Sequence, residues 1–323
     1  MEFYSNVHTA FFLINMLLVM FIIFLDRREA AVTWSWLIVL LFLPVLGFFL
    51  YLLFGQNVSG GRWYKNHPDV SHRIPELVKD QTRRIEQEQF VYKDPSVFRY
   101  QDLIYMNLTA NGSPLTQDNR VEIFTDGQDK FKKLLECIEE AKDHIHLLYY
   151  KVRNDTLGHQ ILKALTAKAK EGVKVRFLYD DIGCYGLSGV FFKELKEAGG
   201  EVVSFFSSAV PFLNLRMNYR NHRKIAVIDG KIGFIGGFNI GKEYIGLDPK
   251  IGHWRDTHLK LTGGAVHMLQ AIFLTDWNQS RKHRTSFEPR YYPVPELQGK
   301  PWYRSSPAGR MPSWIILKTL LSR

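Results

Sequence analysis

Cysteine is nearly absent, with only Cys137 and Cys184 in 323 residues. That leaves no framework of bridges and no CxxC pair for a metal. A reduced, cytosol-facing domain is the expectation. Acidic charge is also short: 32 Asp and Glu stand against 42 Lys and Arg, a formal net charge of +10. This balance favours an anionic partner, acidic lipid or nucleic acid, without choosing between them. Lysine and arginine are missing before Asp26, and no small-residue cleavage site precedes the Asp26–Glu29 loop. A cleaved signal peptide is thereby disfavoured. Between Ala30 and Phe54 charge of either sign is missing altogether.

What is present instead is apolar length. Val7 to Leu25 is apolar apart from His8, Thr9 and Asn15, about enough to span a bilayer. Ala30 to Phe54 is longer, interrupted by Pro44 and Gly47, which membrane helices tolerate. The loop Asp26-Arg27-Arg28-Glu29 allows only a tight hairpin. Residues 1–56 therefore read as two antiparallel transmembrane helices, a multi-pass anchor in the cell membrane. Arg62, Lys65 and Arg73 after the second helix, set against Arg27 and Arg28 in the loop, place the main domain in the cytoplasm. Residues 57–118 are polar, with Gly60-Gly61, several prolines and a charged helical patch from Pro75 to Gln89. They read as a juxtamembrane linker and helix whose basic residues either rest on anionic lipid or form a solvated face.

From residue 119 to 285 the rhythm becomes strand, helix, strand, helix. Val121 to Gly127 reads as a strand and turn, and Gln128 to Lys142 as a helix through Phe131, Leu134, Leu135 and Ile138. His144 to Val152 is an apolar strand, and Leu157 to Glu171 a helix closed by Gly172. The strand Val173 to Tyr179 ends in Asp180-Asp181; a helix from Gly189 to Ala198 and the strand Glu201 to Phe206 follow. This alternation is that of an α/β domain with a parallel or mixed sheet. Sites in such sheets lie at strand ends, where Asp180, Asp181 and His222 fall. His144-x-His146 has strand spacing, but no third ligand supports it, so the pair reads as structural.

The chemistry concentrates in Asn221 to Ile240, NHRKIAVIDGKIGFIGGFNI. Lys224 to Ile228 and Ile232 to Ile235 read as strands joined by a turn at Asp229-Gly230. His222 and Lys224, two residues apart, share a strand face and point into one pocket. The pair sets an imidazole nucleophile or base beside a fixed positive charge. Gly236-Gly237 lets backbone approach a ligand, and its amides are candidate anion donors. Downstream, Asp256 and His258 share a face ahead of the strand Leu259 to Leu261. Asp256 either orients an imidazole from the pocket or pairs with Arg255.

H-x-K-x4-D-x6-G-G-x-N, from His222 to Asn239, resembles the signature of the phospholipase D superfamily. Together with the paired apolar segments, FGQN at Phe54 to Asn57, LLYYKVRNDTLG, VRFLYDDIGCYG and WRDTHLKLTG, it is similar to bacterial cardiolipin synthases up to about Gln279. The resemblance implies one half of a phospholipase D-type α-β-α sandwich behind two transmembrane helices. It implies a phosphatidyltransferase joining two phosphatidylglycerols into cardiolipin and glycerol, with no metal and no other cofactor. The candidate catalytic residues are His222, Lys224 and Asp229. His222 attacks phosphorus, Lys224 offsets the oxygen charge, and Asp229 supports the motif's local structure. Gly236, Gly237, Asn239 and Asp256 are the candidate substrate-binding residues. The implied partners are phosphatidylglycerol and anionic membrane lipid, with nucleic acid disfavoured by the membrane hairpin.

The family pattern has two such motifs in facing halves, and this chain has one. The tail, residues 286–323, is basic and aperiodic around WYRSSPAGRMPSW. Codons exist for it that, in a shifted frame, spell V-Q-I-V-S-S-G-P-D-A-E, like the family's lead into its second half. The expectation is a chain truncated by a frameshift near Lys300. Three readings stay open: a transferase completed by a homodimer, a phosphodiesterase using water, and an inactive membrane-bound remnant.

Overall fold

A computed structural model describes residues 2–24, 30–51, 73–205, 220–281, 285–286 and 288–293. The chain forms two compact units, residues 1–62 with 206–220, and residues 63–205 with 221–323. Most of the tail expected to be frameshifted, residues 294–323, and the whole Asp26–Glu29 loop lie outside the described residues.

The first unit holds α1 (Glu2–Phe24), α2 (Ala30–Phe42) and α3 (Pro44–Leu50). The second apolar run is thus not one helix, as its composition predicts. It breaks at Leu43, whose φ of −126° and ψ of 69° leave the helical region. The cause is Pro44, which lacks an amide hydrogen and disfavours helical backbone in the residue before it. Gly47 then lies against the Val39 carbonyl, where a Cβ would overlap it. At 1.5 Å per residue α2 covers only about 20 Å, against about 30 Å of hydrocarbon. Among the described residues no helix is long and apolar enough to cross a membrane. Leu40 and Tyr51 are buried against Leu18, Val19, Trp36 and Leu37, and the Asn15 side chain donates to the Leu40 carbonyl at 3.1 Å.

The second unit begins with α4 (Arg73–Glu86) and α5 (Gln101–Asn111). Their apolar sides enclose Ile85, Ile104, Leu108 and Leu115. Gln81 fastens the segment after α5, donating to the Leu115 carbonyl at 2.9 Å and accepting its amide at 2.8 Å.

The α/β part follows as β1 (Asn119–Phe124), α6 (Gly127–Glu139), β2 (His144–Tyr149), α7 (Thr156–Lys170), β3 (Lys174–Asp180), α8 (Lys193–Glu197) and β4 (Glu201–Phe205). β5 (Ile225–Ile228), β6 (Ile232–Gly236), β7 (His258–Gly263) and α9 (Ala265–Gln279) complete it. The seven strands make one sheet in the order β1-β7-β6-β5-β2-β3-β4. β2, β3 and β4 are parallel, as crossover helices require, and β5, β6, β7 and β1 pair antiparallel. Alternation splits β2 between two layers. Ile145, Leu147 and Tyr149 pack with Phe131, Leu134, Leu157, Ile161 and Leu165 of α6 and α7. His144 and His146 face α9, where Gln270 bonds both rings and Phe273 stacks on His146 at 4.6 Å. Helices on both faces of a mixed sheet give the α-β-α layering expected. The helix expected over Gly189–Ala198 is a 3₁₀ turn (Gly189–Phe192) running into the short α8.

Candidate active site

Asn221 to Lys224 leads directly into β5. His222 and Lys224 meet the same neighbour, Tyr150, which directly follows β2. The His222 ring stacks on Tyr150 with centroids 3.9 Å apart and planes 16° apart. Lys224 Nζ lies 5.4 Å from the same ring centroid and donates to the His222 carbonyl at 2.5 Å. Gly183 brings the β3 exit loop against Tyr150, since a Cβ there would overlap the tyrosine's carbonyl. The imidazole and the cation thus share one aromatic platform.

Partial desolvation of the ring, as it stacks on Tyr150, holds the His222 pKa below the ordinary value although the residue is exposed; the Lys224 charge adds to this and Asp180 opposes it. His222 is therefore neutral at neutral pH and keeps a nucleophilic lone pair. Burial also lowers the Lys224 pKa, while the Asp256 carboxylate raises it. The predicted pair is brought together as the sequence spacing requires.

Two buried carboxylates fix the segment that carries His222. Asp180 Oδ1 accepts the amides of Ile182 (3.1 Å) and Gly183 (2.9 Å), and its Oδ2 accepts the Asn221 amide at 3.1 Å. Asp276 of α9, fully buried, accepts from Asn221 Nδ2 at 2.8 Å and from Arg223 at 2.9 Å. The residues on either side of His222 are thus both tied to one carboxylate. Burial raises the Asp276 pKa, against the opposing Arg223 and Asn221 contacts. Asp276 stands outside every motif of the sequence, although an acid inside the apolar run AIFLTDW is a usable signal for a buried partner. Lys130 likewise stands outside them, fully buried with Nζ donating to Tyr149 Oη at 2.8 Å.

Other candidates hold different positions from those their types suggest. Asp229 sits in the β5–β6 turn at φ 52°. Its carboxylate accepts the amides of Lys142 (2.9 Å), Asp143 (2.8 Å) and His144 (2.9 Å). It ties the start of β2 to the hairpin.

The Gly236 and Gly237 amides are not anion donors. They bond the Lys224 carbonyl at 3.4 Å and the Thr257 carbonyl at 2.9 Å, because the β5–β6–β7 ladder continues through them. What these glycines supply is space. A Cβ on Gly236 would overlap His258, and one on Gly237 would overlap the Asp256 carboxylate.

Asn239 is buried, its Oδ1 accepting the Lys151 amide at 3.1 Å and its Nδ2 donating to Tyr244 Oη at 3.0 Å. It positions the strand end after Tyr150. Asp256 accepts the Thr257 amide at 2.7 Å, and among the described residues it forms no ion pair with Arg255. Its partner in charge is Lys224.

Residues 134–258 match the family described as cardiolipin synthase, phospholipase D-like domain, and residues 13–56 match the phospholipase D-nuclease N-terminal family. The chain is 50% identical over 284 residues to the major cardiolipin synthase ClsA of Bacillus subtilis, covering 88% of this chain and 59% of that protein. It is 43% identical over 297 residues to a cardiolipin synthase of Listeria monocytogenes, covering 92% of this chain and 62% of that one. The chain thus spans about three fifths of the length of these curated relatives. Among solved structures, the phospholipase D family member Nuc from Salmonella typhimurium aligns at 20% identity and TM-score 0.40, over 52% of this chain and 99% of that one. Residues 134–258 thus match a cardiolipin synthase, phospholipase D-like domain, and over most of its length the chain is similar to cardiolipin synthases.

Proposed function

We propose that the chain is the His222-bearing half of a phosphatidyltransferase acting on phosphatidylglycerol. The observation that carries this is His222 stacked on Tyr150 with Lys224 on the same ring. In the first step an imidazole nitrogen forms a bond to the lipid phosphorus while the P–O bond to glycerol breaks. Lys224 offsets charge on the non-bridging oxygens as it builds up. In the second step a hydroxyl of another phosphatidylglycerol forms the new P–O bond, and the P–N bond to His222 breaks. The leaving glycerol takes a proton, and the acceptor hydroxyl later gives one up, through a second histidine. That histidine is supplied by the other motif of the family pattern or by a second copy of this chain in a homodimer.

The membrane reading rests on the first unit. Phe12, Leu17, Trp34, Leu41 and Phe42 are exposed although apolar, as suits helices solvated by lipid. The Asn15 bond to the Leu40 carbonyl is of the kind that joins helices in such a setting. We assign these helices to the cell membrane and the second unit to its cytoplasmic face.

Hydrolysis is the second reading, favoured by the exposure of His222 among the described residues. Water admitted to the phosphohistidine gives phosphatidic acid instead of cardiolipin. Labelled phosphatidylglycerol with detergent-solubilised protein separates the two. Cardiolipin plus glycerol, lost in His222→Ala, is expected. Phosphatidic acid would favour the hydrolase, and no product from folded protein would favour an inactive remnant.

A further inference from the structure

A cleft of about 490 Å³ opens between the segment following β2 and the segment following β6. It adjoins the His222 platform through the chain itself: Lys151 succeeds Tyr150, and Asn239 bonds both the Lys151 amide and Tyr244 of the cleft wall.

Its charges are unevenly spent. The acids of the wall already hold donors. Glu243, buried, takes Lys151 at 3.1 Å and Arg153 Nε at 3.4 Å. Asp155 takes the amides of Gly158 at 3.0 Å and Lys242 at 2.6 Å. The contacts to Lys151 and Arg153 are among those that lower the Glu243 pKa against its burial, so this carboxylate stays charged and occupied. The cations, in contrast, keep donors in hand. Arg153 uses only Nε, and among the described residues its two terminal nitrogens bond to nothing. Lys242 reaches Asp248 only at 3.9 Å. The Trp254 indole N–H is buried without a partner, and Tyr244 packs edge-on against that ring at 5.0 Å. A wall with donors to spare and aromatic faces beside them takes a ligand rich in acceptors, with carbon between them.

The geometry points to this cleft as the site of an anionic glycerol-phosphate head group, the phosphate facing Arg153 and Lys242 and the glycerol lying on Trp254. This deepens the transferase reading, for which it is the acceptor lipid's seat, but it is testable without turnover.

The experiment is titration calorimetry of the full chain in detergent with glycerophosphoglycerol, the deacylated head group, and separately with inorganic phosphate. Saturable binding of the head group, retained in His222→Ala, is expected. Arg153→Gln should weaken it roughly tenfold, the usual scale for a charge-assisted bond, and Lys242→Gln should weaken it less. Trp254→Phe keeps the face and removes the N–H, and should also weaken it. Thermal melts establish that each variant is folded. No binding by folded wild type, binding lost in His222→Ala but kept in Arg153→Gln, or equal binding of inorganic phosphate would each overturn the assignment. If binding behaves as expected while no His222-dependent product forms, the cleft stands and the transferase reading fails. If product forms and Arg153→Gln leaves binding unchanged, the reverse holds.

Discussion

Asp229→Ala separates a structural from a catalytic role for the motif's aspartate. Three backbone amides lose a carboxylate acceptor, at 2.8–2.9 Å in the wild type. Bonds to charged groups contribute about 1.5–3 kcal/mol each when lost. The Lys142 amide lies on an exposed residue and rebonds to water, whereas His144 is buried. Counting two of the three bonds at the lower figure gives about 3 kcal/mol. Alanine at φ 52° adds about 1 kcal/mol of left-handed strain, for about 4 in all. For a chain of 323 residues that lowers Tm by roughly 6 °C. Asp229→Gly relieves the strain and should lie about 1 kcal/mol above alanine. Asp229→Asn keeps an acceptor for Asp143 and His144 and should lose only about 1 kcal/mol. Chemical denaturation in detergent followed by circular dichroism reads all three. Alanine within about 0.5 kcal/mol of wild type would refute the reasoning, above all if that stable variant also lost the His222 chemistry.

Other outcomes follow from buried charges. Asp276→Ala removes one charged partner of Arg223 and the acceptor of the Asn221 side chain, so it should destabilise by about 3 kcal/mol, the lower figure for breaking a buried pair; a loss under about 1 kcal/mol in urea melts would contradict the clamp. Acidification should destabilise through His144, His146 and His258, whose pKa values burial lowers. Their unfolded counterparts take up protons near pH 6.5 while the folded rings stay neutral, so stability falls as pH drops below about 6.5, by up to roughly 1.4 kcal/mol per pH unit for each ring. A flat Tm between pH 7 and 5.5 would count against this. Gly237→Ala should displace the Asp256 carboxylate that faces Lys224, costing about 1–3 kcal/mol by overpacking; a neutral melt would show that the loop yields.

Much of the α/β part was legible because crossover helices and strands alternate with strong periodicity, as from Ile145 to Val175. The His222–Lys224 pair was legible for the same reason, since spacing of two fixes a face. α9 escaped because it is buried nearly all round, with Gln270, Asp276 and Trp277 inside, and so carries no polar stripe to mark its period. The glycine amides were misread because a sequence does not say which strand will claim a donor: β7 claims that of Gly237. The partners of Asn239, Lys151 and Tyr244, likewise come from separate loops that sequence spacing does not bring together. The break at Leu43 was written in Pro44, but hydropathy over the whole run outweighed it.

The central claim is that His222 takes the phosphatidyl group. Acid-free quenching of protein with phosphatidylglycerol, proteolysis and mass spectrometry test it directly. The account predicts a phosphatidyl adduct on the peptide containing His222, labile to acid and absent from His222→Ala. An adduct on another residue, or one that persists in His222→Ala, would contradict it.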